Sequence, residues 1–269
     1  MLRGFRPRSP AAQGPIAIEQ LLASYPRRRA ALDPAYARIW DTEYKNNREG
    51  ADTFSALASL AERWMHSQAA RSSRSGAVLE IGAGTLNHLA FETWSRITRY
   101  DAVEPNPILF TGKTEQLRQI RRVFADIGEL DPTEPYDRII SVGVLTSVLD
   151  LARLVALTGV LLRPGGVTQH ALGSYSSLMF EVAWQCTTGL GFRWRNGLSY
   201  RNVVEHELVN TSLEVVAVIG FFFERVRVKY FPGPSHHASI FTYVEATEPR
   251  LARCRSYLGN NPVPLLAPA

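Results

Sequence analysis

Two acidic side chains flank a glycine pair at a spacing that suits a nucleoside ligand with a cationic end. Glu80 precedes Gly82 and Gly84, and Glu104 follows about 20 residues later. Glycines let the backbone approach a ligand, and an acid at that distance can accept hydrogen bonds from ribose hydroxyls. An anion at Glu80 would repel a pyrophosphate, and the third glycine of the dinucleotide pattern is missing. The pattern therefore favours a ligand with a positive group.

The residues around these acids predict the elements that position them. Ala77 to Leu79 is an apolar run that predicts a buried strand, and Tyr100 to Val103 predicts a second strand that ends at Glu104. The segment between these two strands carries apolar residues at helical spacing, which predict a helix: Leu86, Leu89, Ala90 and Trp94. This is a strand–helix–strand unit of the nucleotide-binding type.

Three later segments continue the alternation in order. The segment from Arg122 to Asp126 predicts a third strand that ends on an acid, and the segment from Tyr136 to Val142 predicts a fourth. Leu161 to Val167 contains Pro164-Gly165-Gly166 before a fifth strand. Taken with the glycine motif, residues 77–170 resemble the class I S-adenosylmethionine (SAM) methyltransferases. The resemblance implies an α/β fold, with a seven-stranded, mostly parallel, doubly wound sheet, one antiparallel strand and an N-terminal helical lid.

The same resemblance implies SAM as cofactor and assigns its contacts. In that family the first acid lies near the methionine amine, the second holds the ribose hydroxyls, and the acid after strand 3 meets the adenine amino group. These roles fall on Glu80, Glu104 and Asp126, with Ile127 against the adenine ring. The predicted cofactor-binding residues are Glu80, Gly82, Gly84, Glu104, Pro105, Asp126, Ile127 and Ser141.

The loop after strand 4 bears on the type of acceptor. Ser141 to Val144 lacks the Asp/Asn-Pro-Pro-aromatic sequence of enzymes that methylate amide or base nitrogens. The next residues resemble the V-L-E-H-V-x-D signature of small-molecule methyltransferases, but Thr146 and Ser147 replace its Glu and His. A hydroxyl acceptor usually needs a base. His170, at the end of strand 5, is the predicted substitute, with Tyr44 as a second catalytic candidate and His88 as an alternative to His170.

A segment from about 172 to 205 is expected to contribute the acceptor site. Aromatic residues alternate there with arginines, which suits an amphipathic or anionic small molecule. The predicted substrate-binding residues are Arg48, Tyr175, Trp194 and Arg195. Packing of the aromatic residues on the core is an equally good explanation of the pattern. No metal site is predicted.

The chain divides into four regions. Residues 1–15 predict a disordered basic tail, 16–70 a helical lid, 71–250 the SAM-binding domain, and 251–269 a C-terminal tail. The chain has 269 residues and a formal charge of +5, and all but three of its 30 basic residues are arginine. Cys186 and Cys254 form no disulfide framework, and we see neither a signal peptide nor an apolar run that could span a membrane. We therefore expect a cytoplasmic protein without a membrane partner.

The leading hypothesis is SAM-dependent methyl transfer to an oxygen or an activated carbon of a small molecule, such as a sugar or specialised metabolite. One alternative is an enzyme that binds SAM without methyl transfer and catalyses a cyclisation or rearrangement. Another is a SAM-binding regulatory subunit. Nucleic acid is the weakest candidate partner, because no aromatic residues interleave the basic run at Arg27–Arg29. A homodimer is also allowed.

Overall fold

A seven-stranded mixed sheet forms the centre of the protein. The computed structural model describes residues 17–32, 34–36, 39, 55–71 and 74–260. The strands are β1 Gly76–Ile81, β2 Ile97–Val103, β3 Arg122–Phe124, β4 Tyr136–Val142, β5 Leu162–Gly173, β6 Phe223–Pro232 and β7 Ser239–Pro249. Their order is β3-β2-β1-β4-β5-β7-β6, and β7 is the one strand that runs opposite to the other six. The predicted sheet, with its one antiparallel strand, is confirmed.

Helices and short 3-10 turns connect the strands. The helices are α1 Ile18–Ala23, α2 Ser55–Ala70, α3 Thr114–Leu117, α4 Leu151–Leu161, α5 Leu178–Trp184, α6 Leu190–Asn196, α7 Arg201–Glu207, α8 Ser212–Phe222 and α9 Leu251–Asn260. The 3-10 turns are Asn87–Phe91, Trp94–Arg96, Pro107–Phe110, Ile127–Glu129, Leu145–Ser147 and His236–Ala238. A π-helical turn, Gln185–Gly189, joins α5 to α6 without a break.

Alternating side chains of the strands supply a core on each side of the sheet. Leu79 and Ile139 belong to the larger core, which α4 and α8 complete with Val155 and Phe222. Val78, Tyr100 and Ile140 point the other way and pack with Leu86 and Leu89. Both faces of the parallel strands are thus buried, as expected for an α/β sheet covered by helices.

The segment after β1 differs from the predicted helix. Leu86 adopts a left-handed backbone conformation with φ 63, and only the 3-10 turns Asn87–Phe91 and Trp94–Arg96 follow. A residue in that conformation breaks an α-helix before it can propagate. The segment from Pro107 to Leu117 is likewise not one continuous helix, because Gly112 has φ 77 between a 3-10 turn and α3.

The predicted C-terminal tail begins with a helix. In α9 the side chain of Cys254 is fully buried and belongs to the larger core. Leu258, four residues after Cys254, packs against the same core, so one face of α9 is apolar. Among the described residues, every helix is too short or too polar to cross a membrane.

Candidate functional site

Glu104 links the ends of β1 and β2 at the carboxyl edge of the sheet. Its Oε2 accepts a hydrogen bond from the Gly84 N–H at 2.8 Å, and its Oε1 accepts one from the Asn106 N–H at 2.9 Å. The side chain is nearly buried, so these two bonds fix its orientation. Each carboxylate oxygen has two acceptor positions, and one on each remains for a pair of hydroxyl donors.

The glycine loop brings the backbone close to the segment after β4. Gly82 has φ 68, and a Cβ at this position would lie 2.4 Å from Cγ2 of Val144. Gly84 also lies in the left-handed region, with φ 52. Both positions need glycine for conformational reasons, and Gly82 needs it for space as well. The loop therefore lies between β1 and β4, where the strand order reverses and α/β sheets bind ligands.

Glu80 lies in β1, two residues before Gly82, and its side chain is fully buried. The Tyr100 hydroxyl donates to its Oε2 at 2.6 Å. Burial raises the pKa of Glu80 to about 8. The hydrogen bond from Tyr100 lowers this pKa, whereas the nearby carboxylates of Glu92 and Glu104 raise it further. The carboxyl group is thus mainly protonated at neutral pH, and a cation placed beside it would favour its ionised form.

The residues after β3 form a short capped turn. Oδ1 of Asp126 accepts from the Gly128 N–H at 2.7 Å, and Glu129 completes the capping box. The Asp126 side chain is about one-third exposed at 31%. Ile127 is only 4% exposed and packs in the larger core, which makes it a support of the turn. Pro105 is exposed beside Glu104.

The predicted base His170 lies inside the larger core. Its Nδ1 is 2.8 Å from Oγ of Ser141, and its Nε2 is 2.5 Å from Oγ1 of Thr168. Burial lowers the pKa of His170 to about 3. Both ring nitrogens are engaged and the ring is inaccessible, so this geometry favours a structural role for His170. Ser141 is fully buried beside it, and its hydroxyl is hydrogen-bonded to the histidine ring.

Two of the predicted substrate residues that the structure describes face solvent. Tyr175 lies in the loop after β5, with its ring edge-on to Phe180. Trp194 is 92% exposed and Arg195 is also exposed, on the outer side of α6. A side chain so exposed lines no cavity, so these two residues do not form a pocket wall with Tyr175. Tyr44 and Arg48 lie outside the described residues.

A buried polar cluster at the end of β5 was missed by the sequence analysis. Oγ of Ser174 lies 2.8 Å from Oγ of Ser239 and 2.7 Å from Oγ1 of Thr242. Ser177 donates to the Ser239 carbonyl and also caps α5. Four hydroxyl residues from distant positions meet here, so no local pattern could have revealed the cluster. It fixes the loop between β5 and α5 at the same edge as Glu104.

A second buried cluster joins α2 to the sheet. Nδ1 of His66 and Nδ1 of His88 are 3.0 Å apart, and Nε2 of His88 is 2.7 Å from Oε1 of Glu92. Arg138 on β4 donates to the same carboxylate oxygen. Burial lowers the pKa of His88. A neutral His88 that donates from Nε2 to Glu92 accepts at Nδ1, so His66 is the donor between the two rings.

A cavity of about 580 Å³ lies beside this second cluster. Arg63 and His66 of α2 line one side, and Thr85, Trp94 and Lys113 are among the other lining residues. It touches the glycine loop but contains neither Glu104 nor Asp126. This cavity therefore does not include the predicted ribose and adenine contacts.

Comparison with known proteins finds similarity in fold. No family model matches the sequence, and no curated protein matches it. The N-methyltransferase NodS from Bradyrhizobium japonicum WM9, solved with S-adenosyl-L-homocysteine, aligns over 81% of this chain and 100% of its own, with a TM-score of 0.53 and 16% identity. The 1,6-didemethyltoxoflavin N1-methyltransferase from Burkholderia thailandensis covers 81% of this chain and 92% of its own, with a TM-score of 0.51 and 18% identity.

A third similar structure is a possible exported protein from Bordetella parapertussis, with a TM-score of 0.51 and 16% identity over 70% of this chain and 67% of that one. At such identities the likeness concerns the fold. Together with the strand order and the single antiparallel strand, it shows that this chain has the fold of the class I SAM-dependent methyltransferases.

Proposed function

We propose that the protein binds SAM at the carboxyl edge of its sheet and transfers the methyl group to an oxygen or an activated carbon of a small molecule. The orientation of Glu104 carries this proposal. Backbone N–H groups from Gly84 and Asn106 fix the carboxylate and leave one acceptor position on each oxygen. A ribose supplies two neighbouring hydroxyl donors, which match that arrangement.

The remaining edge residues fit the other parts of the cofactor. The Asp126 carboxylate keeps accessible surface after capping its turn, and an adenine amino group could donate to it. Glu80, near the glycines, would be ionised by a cationic amine. SAM supplies an electrophilic methyl group when bound, and the protein's contribution is then to orient the acceptor for in-line attack.

We propose that the acceptor is methylated without transfer of its proton to His170. Both nitrogens of that ring are hydrogen-bonded within the core. A sufficiently acidic hydroxyl or an activated carbon meets this condition. Tyr44 and Arg48 remain predicted contributors from the N-terminal lid, and Tyr175 remains a predicted substrate contact.

Calorimetric titration with SAM and with S-adenosylhomocysteine tests the cofactor site. Wild-type protein should bind both, and Glu104→Ala should weaken binding by about tenfold or more, because a hydrogen bond to a charged group contributes about 1.5–3 kcal/mol. Glu115→Ala is the matched control, since that carboxylate is exposed on α3. A Glu104→Ala protein that is folded by circular dichroism and binds SAM normally would disprove the assignment.

The second candidate function keeps SAM binding without methyl transfer. It is favoured by the loop after β4, where Thr146 is buried and its carbonyl accepts from Val209 and Asn210. The loop is therefore fixed by backbone hydrogen bonds. Thr146 and Ser147 stand in it where the signature that it resembles has an acid and an imidazole. SAM binding much tighter than S-adenosylhomocysteine binding, with no transfer of labelled methyl to any acceptor screened, would support it over methyl transfer.

A further inference from the structure

The continuous helical segment from Leu178 to Asn196 carries an exposed apolar stripe. We use this name for Leu178, Val182, Cys186, Leu190 and Trp194. The exposed fractions are 68% for Leu178, 53% for Val182 and 59% for Leu190, and Cys186 is exposed as well. Met179 borders the stripe with 36% exposure. Exposed apolar side chains in a contiguous row mark interaction surfaces.

The π-helical turn keeps the stripe on one side. An α-helix turns by about 400° over four residues, so a four-residue repeat drifts by about 40° at each step. The wider turn Gln185–Gly189, closed by i→i+5 hydrogen bonds, offsets part of that drift. The opposite side of α6 is anchored, because Phe192 is buried against Tyr200. The stripe therefore faces outward from a fixed helix.

The charges along this segment match an anionic surface. Arg193 and Arg195 flank Trp194 in the last turn of α6. Glu181 is the only acid between residues 178 and 196. It accepts from Nε1 of Trp184, and burial raises its pKa. Arginines at a helix C-terminus also complement the helix dipole, but that effect does not account for a tryptophan left exposed between them.

We propose that the apolar stripe lies on a membrane surface that carries anionic lipid headgroups. Leucine, valine and tryptophan would enter the boundary between headgroups and acyl chains, while Arg193 would meet lipid phosphate. Tryptophan beside arginine is the composition that favours this interface. The proposal does not depend on the proposed function, and it departs from the expectation that the protein has no membrane partner.

Vesicle flotation of the full-length protein tests this interaction. Wild-type protein should float with vesicles of phosphatidylcholine and phosphatidylserine, and much less with phosphatidylcholine alone. The double variant Leu190→Ser/Trp194→Ser should bind about tenfold or more weakly, because it removes two large apolar groups from the contact. Leu251→Ser is the matched control, since Leu251 is 39% exposed at the start of α9, outside the stripe.

Two further readouts separate the stripe from other sources of binding. The variant Arg193→Gln should lower binding to the anionic vesicles and reduce its salt dependence. Quenching of tryptophan fluorescence by brominated lipid should fall in Trp194→Phe. All variants change exposed side chains, and circular dichroism of each one reports folding independently of SAM binding.

Three results would overturn the proposal. The first is no flotation of wild-type protein with anionic vesicles. The second is flotation that the stripe variant leaves unchanged, which would assign binding to another basic segment. The third is self-association in sedimentation velocity that Leu190→Ser/Trp194→Ser abolishes while vesicles are not bound, which would make the stripe a contact between two copies of the chain.

Discussion

Glu80 is a carboxylic acid that the fold keeps protonated near neutral pH. Burial raises its pKa from an ordinary 4.5 to about 8. The folded chain therefore holds a proton between these values that the unfolded chain releases. The resulting stabilisation is complete below about pH 4.5 and is lost as pH rises through about 8.

Replacement of Glu80 by Gln should flatten this pH dependence. The neutral amide keeps an acceptor for Tyr100 but cannot ionise, so the variant should be more stable than wild type by about 2–4 kcal/mol at pH 8.5 and similar at pH 5. Urea denaturation at the two pH values measures the difference, with Glu115→Gln as the control on an exposed carboxylate. Equal pH slopes for wild type and Glu80→Gln would contradict the assignment.

Gly82 combines a left-handed backbone with a close contact, and the chain offers a control that separates the two. Gly82→Ala adds a Cβ 2.4 Å from Val144, whereas Gly112 has φ 77 and open space around its Cβ position. Gly112→Ala should cost about 1–2 kcal/mol from backbone strain alone. Gly82→Ala should cost more, because overpacking adds to the strain.

Thermal denaturation of the two glycine variants measures this difference. The double variant Gly82→Ala/Val144→Ala should regain the part of the stability lost to the contact and leave the part lost to strain. If both glycine variants lose the same stability, the Val144 contact contributes nothing and the close approach of β1 to the loop after β4 is not tight.

At the scale of elements, Asn210 holds three segments together. Its Nδ2 donates to the carbonyls of Leu145 and Val148, and its Oδ1 accepts from the Tyr25 hydroxyl. The side chain thereby fixes the loop after β4 and the residues after α1 against the start of α8. Arg27 adds a bidentate pair with Glu214 on the same helix.

Asn210→Ala should loosen this junction. It leaves two carbonyls and one hydroxyl without their partner, for an expected loss of about 2–4 kcal/mol. Denaturant unfolding measures the stability, and hydrogen exchange should rise first in residues 145–148. Asn202→Ala on the exposed side of α7 is the control. Unchanged exchange in the loop would show that other contacts hold it.

The sequence predicted these elements better than their ends. Strand and helix types follow from apolar periodicity, and a capping box of Thr211 and Glu214 begins α8. The short turns after β1 and β2 were not predictable, because Leu86 and Gly112 interrupt the helical spacing through backbone conformation that apolar patterns do not encode.

At the scale of the whole molecule, one buried charge cluster connects α2, the turn after β1 and strand β4. Arg138 neutralises Glu92, which also bonds to His88. Arg138→Met should cost about 3–5 kcal/mol, because it leaves a buried carboxylate without its cation. Adding Glu92→Gln should restore part of this loss, since the unpaired charge is then gone.

Chemical denaturation of the single and double variants measures the coupling. Arg163→Met is the control, because Arg163 pairs with Asp137 at the surface, and such pairs contribute about 0–1 kcal/mol. If Arg138→Met loses no more unfolding free energy than Arg163→Met, water or rearrangement compensates the unpaired charge of Glu92. The cluster would then not stabilise the connection between these elements.

The sequence alone determined the sheet and the order of its strands along the chain, because these depend on apolar runs. It also predicted a cofactor site at the carboxyl edge from Glu80, Gly82 and Glu104, which lie close in the chain. Only the tertiary structure decided the fate of His170, which β4 and β5 place in the core beside Ser141 and Thr168. It also decided that Trp194 faces outward. A residue type reveals what a side chain can do, whereas packing between distant segments decides what it can reach.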